Sequence, residues 1–277
     1  MCVVGRRMMW SLLLLPLCLI ACDHKEKPIV LPHSKGLPSE VLLVTDDAVG
    51  QSDVMDSLNA LTQQCLPEIM QPETMFRVLR VSQRNYTQRY ITMHTKFFVN
   101  IDKSLSAPMM GISRDVEATP QTEVTVSAPS LNELRLFLSH HQQQVTDALL
   151  DGQLLVRMTD LRKHHNTHVA NEVHRHMGYS ICVPKNVCAV KKGKHFLWAG
   201  SNLQERDLNI VLYEFPWDGK PVDNAEQLAS KRDSVMKCNI PGEKEGQWMQ
   251  TSRVDGNALV MCRRRNFQGR DFVEMRG

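Results

Sequence analysis

Residues 40–65 read EVLLVTDDAVGQSDVMDSLNALTQQC, and the two halves of this stretch decide the fold class. The first, EVLLVT at 40–45, is an apolar run of β-prone residues and predicts the first strand. The second, from Ser52 to Cys65, places Val54, Leu58 and Leu61 at helical spacing, with Ser52 or Asp53 as N-cap. Strand followed by amphipathic helix recurs outward from here. Residues 75–81 and 123–128 alternate like half-buried strands, residues 97–101 form another, and residues 104–119 read as an irregular loop. Ser130 and Glu133 form a capping box that opens a helix through about Leu150, with Leu134, Phe137, Leu138 and Val145 inward. Residues 151–178 continue as a long polar helix. Beyond Gly178, β character returns at 179–183, 195–199, 208–215, 257–263 and 271–275, with a helix from Asn224 to about Cys238 that turns Leu228, Val235 and Ala225 inward. Strands interrupted by a few helices predict an α+β protein with antiparallel sheets. The expected organisation is an N-terminal subdomain at 40–150, a polar helical connector at 151–178 and a C-terminal subdomain at 179–277.

The amino terminus carries an address. Arg6 and Arg7 precede an apolar run from Met8 to Ile20, interrupted by Ser11 and Pro16. At about 13 residues the run is shorter than the roughly 17–25 that span a bilayer, and it has the length of a signal h-region. Leu19, Ile20 and Ala21 then lead into Cys22, the small-residue-before-Cys pattern read by the bacterial lipoprotein signal peptidase. Residues 1–21 are therefore expected to leave as a signal peptide and Cys22 to carry lipid. Two or more acyl chains make a stable anchor where one is marginal. The expected location is the cell envelope, lipid-anchored, facing the periplasm or lying on the outer-membrane surface. Residues 22–39, charged and then rich in Pro, Gly and Ser, read as a flexible tether.

Composition narrows the partners. The 33 Lys and Arg against 30 Asp and Glu give a formal charge of +3, and losing Arg6 and Arg7 with the leader brings the chain close to neutral. That argues against nucleic acid. The aromatic fraction of 6% weakens a sugar-stacking surface. After the leader and Cys22, five cysteines remain: Cys65, Cys182, Cys188, Cys238 and Cys262. Export permits their oxidation, and the odd number leaves at least one unpaired within the chain. Cys182 and Cys188 flank a turn-like stretch and suit a hairpin bridge, although small buried hydrophobes are the favoured reading. Their spacing fits no zinc pair.

The sharpest side-chain constellation is histidine-rich. His164 and His168 lie at i,i+4, as do Glu172 and His176, with His165 and His174 between them. These are the ligands a zinc or copper ion would use. A polar connector helix that binds no metal is the leading expectation, and pH response is a further one. His140 and His141 read as a solvated face, and Arg263, Arg264 and Arg265 as a turn and edge rather than an anion grip. Asp46 and Asp47 at the end of the first strand, and Asp115 and Glu117, are candidate acid–base carboxylates or turn formers. No nucleophile elbow, phosphate loop or dinucleotide fingerprint occurs, so no cofactor is expected and no residue is nominated as catalytic.

Three segments together resemble a known family. Residues 34–44, SKGLPSEVLLV, are similar to its opening S-x-G-x-P-x-E-V-L-V-V. Residues 114–121, RDVEATPQ, are similar to its R-D-V-W-A-x-P-Q, and 231–242, KRDSVMKCNIPG, to its K-R-D-S-V-L-K-x-N-I-P-G. The family is the uncharacterised Bacteroidetes lipoproteins catalogued as domain of unknown function 4837, and the resemblance runs along 34–277. It implies an envelope lipoprotein and no activity. Glu117 stands where the family has Trp. Family members continue through further strands after the equivalent of 272–277, so the resemblance implies a short C-terminus with an unpaired edge. The leading functional expectation is a non-catalytic protein that binds an envelope protein or glycan. A carboxylate hydrolase and metal capture by the connector are the alternatives.

Overall fold

In the computed structural model, the described residues are 30–65, 72–201, 203, 207–216, 224–258, 260–267 and 270–276. The EVLLVT run forms strand β1 (Glu40–Thr45), buried from Val41 onward. It lies inside a five-stranded sheet with β2 (Arg77–Ser82), β3 (Thr95–Ile101), β4 (Met109–Arg114) and β5 (Thr122–Ala128), in the order β2-β1-β3-β5-β4. Helices α1 (Asp47–Gly50) and α2 (Val54–Thr62) join β1 to β2, and α3 (Gln88–Ile91) precedes β3. β1 pairs in parallel with both neighbours, and β3 pairs in parallel with β5. Only β4 runs antiparallel, against β5.

The α+β class holds. Antiparallel pairing holds in the C-terminal sheets, whereas the N-terminal sheet is mixed. The reason lies in β1. Val41 and Leu43 face a core closed by α2, α4 (Leu131–His140) and α5 (Gln142–Lys163). Leu42 and Val44 face a second cluster with Val81, Met93, Tyr86 and Tyr90. A strand buried on both faces carries a continuous apolar run rather than alternation, as parallel strands do. β4 falls within the expected loop. It is an edge strand with mostly exposed side chains, and so carries no periodic apolar signal.

The long helix expected over 131–178 is three helices. The Ser130 cap forms, with its Oγ accepting the Glu133 N–H at 3.3 Å. The chain breaks at His141 and again between His164 and Asn166, before α6 (Thr167–Met177). Asn166 causes the second break. Its N–H donates to Val183 O, its Nδ2 to Val187 O at 2.9 Å, and its Oδ1 caps the Val169 N–H. Gly178, in the left-handed region at φ 75°, ends α6.

Helix α6 buries Val169 and Val173 against a three-stranded antiparallel sheet, β6 (Ala189–Gly193), β7 (Phe196–Gly200) and β8 (Asn209–Tyr213). Residues 179–183, expected as a strand, form no regular element. Helix α7 (Ala225–Asn239) buries Ala229 and Met236, one residue beyond the expected Leu228 and Val235. Two antiparallel pairs follow, β9 (Arg253–Val254) with β10 (Asn257–Ala258) and β11 (Met261–Phe267) with β12 (Arg270–Arg276).

Two expectations about the margins change. Residues 31–39, assigned to the tether, are docked on the first sheet. Ser34 N–H donates to Thr119 O, Lys35 N–H to Thr92 O, and His94 N–H to Lys35 O. The five cysteines are free, and Cys65, Cys182, Cys188 and Cys238 are exposed rather than buried. Val183 and Val187 take the core positions, which turns Cys182 and Cys188 outward. No helix among the described residues is long and apolar enough to cross a membrane.

Candidate functional site

Cys22 and its recognition residues Leu19, Ile20 and Ala21 lie outside the described residues. The nominated carboxylates are each held. Asp46 caps α1 through Val49 N–H at 2.7 Å and accepts Ile101 N–H at 2.6 Å. Asp47 pairs with Arg84. Asp115 accepts Gln121 N–H at 2.8 Å and sits at φ 50°.

Glu117 has a partner that no spacing revealed. Lys96 of β3 is fully buried, and its Nζ meets Glu117 at 2.6 Å, Glu123, the Tyr86 hydroxyl at 3.0 Å and Ile91 O. Burial opposes its charge, yet the hydrogen bonds to Glu117 and Glu123 outweigh that and hold its pKa above the ordinary lysine value. Gln121 fastens the same loop through Ile91 O and Met93 O. The RDVEATPQ segment is thus clamped around a buried ammonium, and Glu117 is a counter-ion.

The histidines do not converge. The break in the helix separates His164 from His168. His164 bonds Asp160 at 2.8 Å, and His176 Nε2 lies against Gly193 O and Phe196 O. Glu172 is committed to Lys192 and Arg175. Among the described residues no three His, Cys, Asp or Glu side chains gather to hold a metal. His140 ends α4 in solvent, and His141 stacks on Phe137. Arg263, Arg264 and Arg265 lie inside strand β11, opposite Glu274, Val273 and Phe272.

A different constellation forms at the end of the C-terminal sheet. Gly178 releases the chain from α6, and Tyr179 projects at 47% exposure. The β6–β7 turn places His195 at φ 54°, and Glu214 N–H donates to its carbonyl, prolonging the β7–β8 ladder by one step. The Glu214 carboxylate accepts the Tyr179 hydroxyl at 2.7 Å and faces His195 Nδ1 at 3.4 Å. Tyr213 and Phe215 stack at 6.1 Å, and Lys231 Nζ sits 4.9 Å from the Phe215 ring centre. Tyr179, Lys194, His195, Tyr213, Glu214 and Phe215 line an open cleft of about 760 Å³. The hydrogen bond from Tyr179, then that from His195, holds the Glu214 carboxyl below its ordinary pKa. The same bond to Glu214 pushes the Tyr179 phenol up. Sequence reading missed this cleft because its parts come from four separate segments.

Lys231 opens the KRDSVMKCNIPG segment, whose role is largely structural. Asp233 accepts Thr251 N–H at 2.7 Å and Arg253 Nη1 at 2.8 Å, and Arg253 also grips Glu226 at 3.0 Å. This clasp ties α7 to the following strands. Comparison with known proteins divides the chain in two. Residues 34–159, which hold the SKGLPSEVLLV and RDVEATPQ segments and were expected to share one family with the rest, match instead the family model for DUF8532, a domain of unknown function. No curated protein and no solved structure matches. Residues 166–277, beginning at the Asn166 cap of α6, match the family model for DUF4837, a domain of unknown function, as the KRDSVMKCNIPG segment implied.

Proposed function

We propose that this chain is a lipoprotein of the bacterial cell envelope, held at the membrane by acylation of Cys22, and that its folded part is a non-catalytic binding protein. The leader pattern at residues 6–22 supports the anchor. The chemistry of the Tyr179–Glu214–His195 cleft supports binding. A general acid needs a carboxyl raised toward neutrality, and a nucleophilic or acidic phenol needs a lowered pKa. Glu214 and Tyr179 are shifted in the opposite directions. Glu214, Tyr179 and His195 form a hydrogen-bonding rim.

The ligand that fits is a glycan segment. The side chains of Tyr179 and Phe215, 47% and 38% exposed, offer apolar surface for a sugar ring. Lys194, His195 and Glu214 offer donors and acceptors for its hydroxyls. The test is an array of envelope oligosaccharides probed with wild type, Phe215→Ala and Glu214→Gln. Retention lost at least tenfold in both variants supports the reading. Absence of retention by wild type refutes the glycan. A protein crosslinked to wild type in native envelopes, and lost in Phe215→Ala, assigns the cleft to a protein instead. Alkyne-palmitate labelling that persists in Cys22→Ser refutes the anchor.

A further inference from the structure

The aromatic cleft holds more positive charge than a neutral sugar requires. Its lining contains one carboxylate, Glu214, and both oxygens of that group are engaged, Oε1 by the Tyr179 hydroxyl and Oε2 by His195 Nδ1. Polar groups of this kind suffice for sugar hydroxyls. Two ammonium groups are present as well. Lys194, in the β6–β7 turn, is exposed and lines the cleft. Lys231 of α7 reaches Phe215 of the lining, with its Nζ 4.9 Å from the ring centre. Neither ammonium meets a carboxylate among the described residues, although Lys192 and Arg232, close to them along the chain, each do.

The two signs have different partners. The Glu214 carboxylate is turned to Tyr179 and His195, and the Lys231 ammonium to Phe215. A ligand atom in contact with the Phe215 ring lies within about 10 Å of Lys231 Nζ, one screening length at about 0.1 M salt. An ammonium has three donors and no acceptor, and it bonds an anionic oxygen more strongly than a hydroxyl. It is also a point charge without the planar fork of a guanidinium, so it receives carboxylate, sulfate and phosphate alike. A cleft with unpaired cations and an already engaged carboxylate therefore favours a ligand that brings its own negative charge.

We propose that the cleft takes an acidic glycan, a sugar segment held against Tyr179 and Phe215 whose anionic substituents meet Lys194 and Lys231. This rests on the glycan reading of the same cleft. The test prints each acidic oligosaccharide beside its neutral counterpart, carboxyl-reduced for uronic acids and desulfated or dephosphorylated for the esters, and measures retention of the full chain. At least one acidic member is expected to be retained at least about fivefold above its counterpart at low salt. That ratio falls toward one in about 1 M salt, where the screening length is about 3 Å. Uronic-acid pairs and ester pairs, read separately, show which anion is taken. Lys194→Gln and Lys231→Gln lower the ratio, Lys194→Arg and Lys231→Arg keep it, and Lys163→Gln, which removes an exposed lysine of α5, leaves it unchanged. Equal retention of acidic and neutral members overturns the proposal and leaves the glycan reading standing. A ratio unmoved in both Lys→Gln variants of the cleft, or lowered as much by Lys163→Gln, also overturns it. Retention of no member overturns both readings.

Discussion

Removing both carboxylates that face Lys96 will destabilise the fold by about 4–5 kcal/mol, the upper part of the range for leaving a buried charge uncompensated. Lys96 has no exposed surface, whereas the side chains of Glu117 and Glu123 are 36% and 16% exposed. The three carboxylate variants therefore separate. Glu117→Gln removes the wetter partner, where solvent replaces part of the interaction, and costs about 1 kcal/mol. Glu123→Gln removes the drier one and costs about 2 kcal/mol, in the range for hydrogen bonds to a charged group. The double variant exceeds the sum, because only then does the ammonium lack any anion. Against a typical domain stability of about 5–15 kcal/mol, the double loss is large. Urea titration of the four proteins at pH 7, followed by circular dichroism, measures the series. A double variant within about 1 kcal/mol of wild type would refute the claim that Lys96 depends on these carboxylates. A double cost equal to or below the sum would refute the coupling.

Three further outcomes follow from other sites. Burial holds the His94 pKa below its ordinary 6.5 against the opposing bond to Leu37 O, so the folded state takes up its proton later than the unfolded state. Stability falls as pH drops below 6.5 and levels once pH is under the folded value; an acid-side slope unchanged in His94→Gln would contradict this. Asn166→Ala removes the α6 cap and the bonds to Val187 and Lys185, and lowers stability by about 1–2 kcal/mol in thermal melts. Tyr179→Phe removes the first of the bonds that hold Glu214 down, so the Glu214 carboxyl titrates at higher pH by NMR; an unmoved titration means that His195 alone sets it.

Local signals were legible in the sequence because they act over a few residues. The Ser130–Glu133 cap and the apolar face of α2 needed no partner to be recognised. The EVLLVT run announced a strand, and its unbroken apolar character already held the clue to burial on both faces. The KRDSVMKCNIPG segment pointed to the family that matches residues 166–277. What waited for the tertiary structure was everything decided by distance. Parallel pairing of β1 depends on which strands flank it. The break between α5 and α6 depends on carbonyls of Val183 and Val187, far along the chain, that capture Asn166. Glu117 became a counter-ion only when folding buried Lys96 beside it. The proposed site has the same origin. Tyr179, His195, Glu214 and Phe215 form one cleft because strand register and helix packing bring together side chains whose spacing along the chain carries no chemical pattern.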